Sequence, residues 1–107
     1  PVAAERTYQS AFAMFEAIAG AAGLAGLADQ EGGLGLVAAD QGDDFAAEFA
    51  YRRAVDLAMA ANAWSSVNTW ACNLGNALTR RRRYHSAWQA YGQAIEAGKR
   101  AADAEAA

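Results

Sequence analysis

The segment Asn73-Leu74-Gly75-Asn76-Ala77-Leu78 is the most informative part of the sequence, because its Leu-Gly pair has a counterpart at Leu34-Gly35, forty residues earlier. The same offset relates four further pairs, which are Ala47 with Ala87, Tyr51 with Tyr91, Ala54 with Ala94, and Val55 with Ile95. Five matches at one offset indicate an internal repeat. A repeat of this length is typical of stacked structural units, and such stacks usually work as binding surfaces.

The best-matched block, residues 68–98, combines Leu74-Gly75 with an aromatic residue at a turn, Tyr84. A second helix then carries alanine and aromatic residues at Ala87, Tyr91 and Ala94, followed by Ile95. This block resembles a tetratricopeptide repeat. The 40-residue spacing is similar to the longer variant of that family, found in kinesin light chains, spindle-orientation adaptors and many bacterial regulators. Residues 28–58 match less closely, since Asp44 stands at the place of the turn aromatic.

The resemblance implies an all-α fold, a right-handed superhelical stack of antiparallel helix pairs with about five helices. We expect one domain, residues 1–107, with a half-repeat at about 3–22 and repeats at about 25–62 and 65–103. The half-repeat is inferred from Tyr8, Ala11, Phe12, Phe15, Ile18 and Ala19, which have the spacings of Tyr84, Ala87, Trp88, Tyr91, Ala94 and Ile95.

Hydrophobic periodicity predicts helices at about 3–19, 25–41, 44–61, 65–81 and 84–103. Breaking residues place the joints at Gly20–Gly26, Gly42-Asp43 and Asn62–Ser66. The buried stripe of the second helix is predicted to be Leu24, Leu27, Leu34, Val37 and Ala38, and the last helix has an apolar stripe from Tyr84 to Gly98. Small residues such as Gly35 and Gly75 should let neighbouring helices approach closely while aromatic rings fill the gaps.

Composition narrows the functional classes. The chain has 107 residues, a single cysteine and a net charge of −3. The apolar run Ala17–Ala28 is too short to span a membrane, and we see no signal peptide pattern. We therefore expect a cytoplasmic protein without a membrane segment.

The sequence contains few residues arranged as a catalytic, cofactor or metal site would require. Gly33–Ala38 fits a G-x-G-x-x-A dinucleotide pattern, but no strand precedes it and Gly35 already has a role in the repeat. Cys72 and His85 lie on different helices with no third catalytic group indicated, and Asp40, Asp43 and Asp44 lack the spacing of a calcium loop. We expect no enzyme, no cofactor and no metal site.

The run Arg80, Arg81, Arg82 and Arg83 has three interpretations. It could bind nucleic acid or phosphate, or it could be a solvated turn that suits the end of a helix dipole. The third comes from the repeat, because residues 20–50 contain six acidic and no basic residues, whereas residues 51–100 contain eight basic and two acidic ones. Stacking would then bring an acidic turn beside a basic one. With the net negative charge, nucleic acid is not the expected partner.

The candidate binding site is one face of the fourth helix, formed by Thr69, Cys72, Asn73, Asn76, Thr79 and Arg80. The resemblance implies that Asn73 and Asn76 bond the main chain of an extended or helical peptide in a concave groove, and Arg80 could bind a carboxylate. The alternative is that these are simply exposed polar positions. The first unit departs from this pattern, with Asp29, Gly32, Gly33, Leu36, Ala39 and Asp40 at the matching places.

The sequence therefore favours a protein–protein interaction module that binds a peptide or partner protein. The alternatives are a self-associating structural unit and, third, a nucleic-acid-linked regulator that uses the turn Arg80–Arg83. Because the chain has only two and a half units, we also expect a homodimer through residues 3–19, whose apolar stripe lacks a preceding helix.

Overall fold

The structure, a computed structural model, describes the backbone of residues 2–106 and the side chains of residues 9–11, 13–14 and 20–106. This part of the chain is all-α, with α1 at Val2–Asp40, α2 at Asp44–Ala60, α3 at Trp64–Arg80 and α4 at Tyr84–Ala106. Within α1, Gly20 has non-helical dihedral angles (φ 65°, ψ −166°), so α1 consists of two helices, residues 2–19 and 21–40. The all-α class and the five helices are therefore confirmed.

The joint expected at Gly20–Gly26 is wrong in its length. Only Gly20 leaves the helical conformation, and the helix resumes at residue 21, so Gly23 and Gly26 lie within it. Glycine adopts a φ of 65° without the steric cost that other residues have there, which explains why the break falls at this residue. Beyond it, Leu24 and Ala28 are buried in a cluster with residues of α2 and α3, and this packing offsets the low helix propensity of the glycines.

Three turns of identical form join the helices. In each, an N–H group bonds a carbonyl five residues earlier, and the pairs are Asp43 with Ala38, Ala63 with Ala58, and Arg83 with Leu78. The residue before each donor has a positive φ, which is 78° at Gly42, 52° at Asn62 and 60° at Arg82. This is the Schellman motif. The turns recur every twenty residues, so each helix reverses direction in the same way.

Neighbouring helices pack antiparallel in chain order. Arg80, at the end of α3, pairs with Asp44 at the start of α2, and Asn68 near the start of α3 donates a hydrogen bond to Ala94 of α4. One core cluster contains Ala47, Tyr51, Ala54, Val55, Trp70, Ala71, Leu74, Ala77, Leu78, Ala87, Ala90 and Ala94. A second contains Leu24, Ala28, Leu57, Ala58, Val67 and Ala97. The right-handed superhelix that the resemblance implies stays a prediction.

The role predicted for the repeated glycines is confirmed. A Cβ atom on Gly35 would lie 2.5 Å from Cε1 of Tyr51, and one on Gly75 would lie 2.5 Å from Cε1 of Tyr91. Both distances are far below van der Waals contact, so each tyrosine ring rests directly on the glycine backbone. Because the two glycine–tyrosine pairs are forty residues apart, the sequence repeat corresponds to a repeated packing contact.

The predicted stripe of buried residues on residues 21–40 is wrong in part. Leu24 is buried, but Leu34 and Val37 are exposed. Their counterparts Leu74 and Ala77 are buried in the cluster that α2 and α3 share, and no described residue takes the place of α2 beside Leu34 and Val37. The stripe predicted for α4 divides similarly, since its members Ala87 and Ala94 are buried while Tyr84, Trp88 and Ile95 are exposed.

Two further predictions concern the chain as a whole. Of the helices in the described part, none is both long enough and apolar enough to cross a bilayer. The dimer predicted through residues 3–19 rests on Tyr8, Phe12 and Phe15, and these side chains lie outside the described residues.

Candidate peptide-binding face

Helix α3 has two distinct faces. Its buried side consists of Val67, Trp70, Ala71, Leu74, Gly75, Ala77 and Leu78. The predicted site residues lie on the other side, where Thr69, Cys72, Asn76, Thr79 and Arg80 are exposed and Asn73 is half-buried. We call these six residues the α3 face. Their spacing of three or four residues keeps them on one side of the helix.

Part of the hydrogen-bonding capacity of the α3 face is used within α3. The hydroxyl groups of Thr69 and Thr79 donate to the carbonyls of Ser65 and Gly75, at 3.2 and 2.8 Å. The Asn73 side chain donates through Nδ2 to the Thr69 carbonyl at 2.9 Å. These bonds to the preceding turn hold the side chains close to their own helix. The Oδ1 atom of Asn73 is still available as an acceptor.

Asn76 is held by the neighbouring helix. The hydroxyl group of Tyr91 donates a hydrogen bond to Oδ1 of Asn76, which fixes the orientation of the amide. The Nδ2 group of Asn76 therefore presents the donors. Asn73 and Asn76 together offer an acceptor and a donor group three residues apart on one helix face. Such a combination can pair with one C=O and one N–H group of a peptide main chain.

Arg80 is not a free cation. Its Nε lies 2.7 Å from Oδ1 of Asp44, so the guanidinium joins the end of α3 to the start of α2. Burial raises the pKa of the nearby Tyr51 hydroxyl; the Arg80 charge opposes this, and the charges of Asp40 and Asp44 add to it. A peptide carboxylate could bind Arg80 only in competition with Asp44, which makes Arg80 a weaker candidate than the two asparagines.

Trp70 of α3 packs on α1 and bonds to it. A Cβ atom on Gly32 would lie 2.2 Å from the indole ring of Trp70, and the indole Nε1 donates to Oδ1 of Asp29 at 2.9 Å. Ser66 also donates to this Asp29 oxygen, at 3.1 Å. Asp29 and Gly32 depart from the repeat pattern because they receive this tryptophan. The missing side chain at Gly32, opposite a large aromatic residue, was the available sequence signal.

The arginine turn is largely paired inside the protein. Glu48 is buried, and its carboxylate accepts from Arg81 and from Nε of Arg52 at 3.1 Å, with Arg83 at 3.5 Å. The acidic edge of the first unit therefore does lie beside the basic edge of the second. Sequence reasoning missed Glu48 as the central carboxylate, although the acidic bias of residues 20–50 indicated such a partner. Arg82 is exposed.

The remaining chemical candidates stay separate. Cys72 is exposed on α3 as a free thiol, whereas His85 is exposed in the first turn of α4, 6.4 Å from the Trp88 ring between centroids. The G-x-G-x-x-A pattern at residues 33–38 lies inside α1, with Gly35 packed against Tyr51. Among the described residues, no three His, Cys, Asp or Glu side chains come together as metal ligands would.

Comparison with models of protein families, with curated proteins and with solved structures found no match. The likeness to tetratricopeptide repeats therefore depends on the residues and packing contacts described above.

Proposed function

We propose that this chain is a protein–protein interaction module that binds an extended or helical peptide along the α3 face. The observation that carries the proposal is the pair Asn73 and Asn76, of which one keeps an acceptor and the other keeps donors after their internal bonds are formed. Two amide side chains held in place by neighbours can pair with a peptide main chain at a small cost in side-chain entropy. Because every peptide has these main-chain groups, the amides would set affinity and direction rather than sequence preference.

Sequence preference would come from α1. Leu36 occupies on α1 the position that Asn76 occupies on α3, and its side chain is exposed. It therefore offers an apolar contact, and Gly33, at the position equivalent to Asn73, leaves open space beside it. The preferred peptide would place an apolar side chain on Leu36 while its main chain pairs with the asparagines. We also propose that the helices form a tetratricopeptide-like superhelix and that the protein is located in the cytoplasm.

The test begins with a random peptide library displayed on phage and selected on the immobilised full chain. A synthetic copy of an enriched peptide is then titrated against the wild type and against a variant carrying Asn73→Ala and Asn76→Asp. The carboxylate introduced by Asn76→Asp would still accept the Tyr91 hydrogen bond but would lack the amide donors. Loss of two main-chain bonds should weaken binding by about tenfold or more.

Tyr91→Phe is the matched control. It removes the hydrogen bond to Asn76 but keeps the aromatic ring on Gly75 and leaves both asparagine amides in place. Because the freed Asn76 amide must then be oriented on binding, this variant should weaken binding by about two- to tenfold, which is less than the loss expected for the asparagine variant. If no peptide is enriched, or if the asparagine variant binds as tightly as the wild type, the α3 face is not the binding site.

The observed ion pairs weaken the third alternative. A regulator that binds nucleic acid through the turn Arg80–Arg83 would need free guanidinium groups, yet Arg80, Arg81 and Arg83 pair with Asp44 and Glu48. Phosphate contacts would have to compete with these pairs.

A further inference from the structure

The packing of α2 on α3 shows which residues become buried when two units of the repeat stack. On the α2 side, Val55 is 4% exposed and Glu48 is 7% exposed. On the α3 side, Leu74 is 4% exposed and belongs to the same buried cluster as Val55. The ion pair between Arg80 and Asp44 lies at one end of this junction.

The same two surfaces recur at the ends of the helix stack, but there they are open. Forty residues after Glu48 and Val55, α4 carries Trp88, which is 74% exposed, and Ile95, which is 62% exposed. Forty residues before Leu74, α1 carries Leu34, which is 54% exposed. Large apolar side chains thus occupy positions that the repeat buries, although no described residue covers them.

The polar residues at the two ends are also complementary. Asp40 on α1 lies forty residues before Arg80, and Tyr84 on α4 lies forty residues after Asp44. The internal ion pair therefore corresponds to a carboxylate at one end and a tyrosine hydroxyl at the other, and the hydroxyl can donate a hydrogen bond to the carboxylate. Glu48 is buried and pairs with arginines of the turn Arg80–Arg83. Its counterpart on α4 is the apolar Trp88. The end of α1 lacks those arginines and carries Asp40 and Gln41 instead, so a tryptophan suits it better than a carboxylate would.

We propose that copies of this chain stack head to tail, with Tyr84, Trp88 and Ile95 of one copy packed on Leu34, Val37 and Asp40 of the next, as α2 packs on α3 inside each chain. We call these two sets the α4 end and the α1 end. The contact joins two different surfaces, so it does not close into a two-fold dimer and each added copy leaves one end of each kind open. It differs in this respect from the dimer expected through residues 3–19.

Residues 3–19 are the competing occupant of the α1 end. Their sequence has the same spacing of aromatic and small residues as residues 84–95, so they could fill in the same chain the place that α4 of another copy would take. An α1 end that is filled in this way leaves the protein monomeric.

The test measures the mass of the full chain by light scattering or sedimentation, from low micromolar to submillimolar concentration. We expect the average mass of the wild type to rise with concentration beyond that of a dimer. Ile95→Asp and Leu34→Asp each place a charge at the centre of the contact and should weaken association by about thirtyfold or more. Both positions are exposed within one chain, so both variants should keep the helical content of the wild type. Gln89→Asp is the matched control, because Gln89 lies on another side of α4, beside Arg52 and Leu74 of the same chain.

Mixing the two variants decides the geometry. Ile95→Asp retains an intact α1 end and Leu34→Asp retains an intact α4 end, so an equimolar mixture should form a 1:1 dimer and stop there. A disulfide between a Leu34→Cys chain and an Ile95→Cys chain, both carrying Cys72→Ser, should form only in the mixture. The proposal is overturned if the wild type stays monomeric throughout, or if its mass stops at a dimer that both Asp variants retain. It is also overturned if the mixed variants do not associate.

Discussion

Gly35→Ala is the substitution that most sharply tests the packing contact behind the repeat. The new Cβ atom would lie 2.5 Å from Cε1 and 2.6 Å from Cδ1 of Tyr51. Tyr51 is 1% exposed, and its ring stacks on that of Trp70 with centroids 6.1 Å apart. The ring therefore has little freedom to move away from an added methyl group.

The expected cost follows from two opposing effects. Overpacking of a well-packed core typically costs about 1–3 kcal/mol. Alanine in place of glycine inside a helix contributes about 1 kcal/mol in the favourable direction. Because Tyr51 is fully enclosed, we expect the upper part of the overpacking range and a net loss of about 1–2 kcal/mol in the free energy of unfolding. For a domain of this size, that corresponds to a fall of at least about 5 °C in Tm.

Gly33→Ala is the matched control in the same helix. A Cβ atom there would meet nothing within 4 Å, so only the helix propensity changes and the variant should be more stable by about 0.5–1 kcal/mol. Gly75→Ala should lie between the two, because its clash is with Tyr91, which is only half-buried and can shift outward. Urea unfolding followed by circular dichroism at 222 nm gives all three values. If Gly35→Ala is as stable as Gly33→Ala, the glycine–tyrosine contact is not the physical basis of the repeat.

Three further predictions concern the turns and charges. Arg82→Gly should raise the free energy of unfolding by about 0.5–1 kcal/mol, because Arg82 has a φ of 60°, which glycine adopts without steric cost. Arg81→Gly is the control: Arg81 has a negative φ and pairs with Glu48, so this variant should lower the free energy of unfolding in the same urea titration. Partial desolvation raises the pKa of Asp56 despite the nearby Arg52, although the residue is exposed in part, so the protonated carboxyl group is more favoured in the folded state than in the unfolded state. The protonated carboxyl group contributes its full stabilisation below the pKa of the unfolded state, and this stabilisation is lost as the pH rises through the pKa of the folded state. Asp56→Asn should therefore be more stable than the wild type at pH 7. The difference in the free energy of unfolding should disappear at a pH below about 3.9. Finally, a mixed-sequence oligonucleotide should show no steeply salt-dependent binding near physiological salt in fluorescence anisotropy, and submicromolar binding that Arg81→Ser with Arg82→Ser abolishes would contradict the assignment of the arginines to internal pairs.

The helix boundaries could be predicted because local signals and the repeat agree. Gly42 and Asn62 are residues that accept a positive φ, and the structure uses both in that way. Arg82 carries no such signal, and its turn follows only from the repeat spacing. At Gly20 the local signal was misleading, because Gly23 and Gly26 suggest a longer joint while the packing of Leu24 and Ala28 keeps the chain helical.

Burial at the ends of the stack could not be read from periodicity. Leu34 and Val37 have the spacing of buried residues, but burial requires a partner helix, and periodicity within one helix does not say whether that partner is present. The ion pairs of Glu48 were hidden for a related reason. A buried carboxylate on an alanine-rich helix is explained only when the turn at residues 81–83 is placed beside it.

The sequence predicted which side of α3 carries the candidate site, but it did not predict the contacts that its side chains make with other helices. The spacing of Asn73 and Asn76 put both on one exposed side of α3. The bond from Tyr91 to Asn76 and the pair of Arg80 with Asp44 join residues of different helices, so they depend on how the helices stack. These contacts change the ranking within the site, since they strengthen the asparagines and weaken Arg80.

The binding of a peptide to the α3 face is tested most directly by mapping amide shifts. The ¹H–¹⁵N spectrum of the full chain is recorded during titration with a peptide enriched by display. We expect the largest shifts in residues 69–80 of α3, including the side-chain amides of Asn73 and Asn76, and around Leu36 of α1. Shifts that concentrate instead on Tyr84, Trp88 and Ile95 of α4, or a spectrum that does not change at saturating peptide, would show that the peptide does not bind the α3 face.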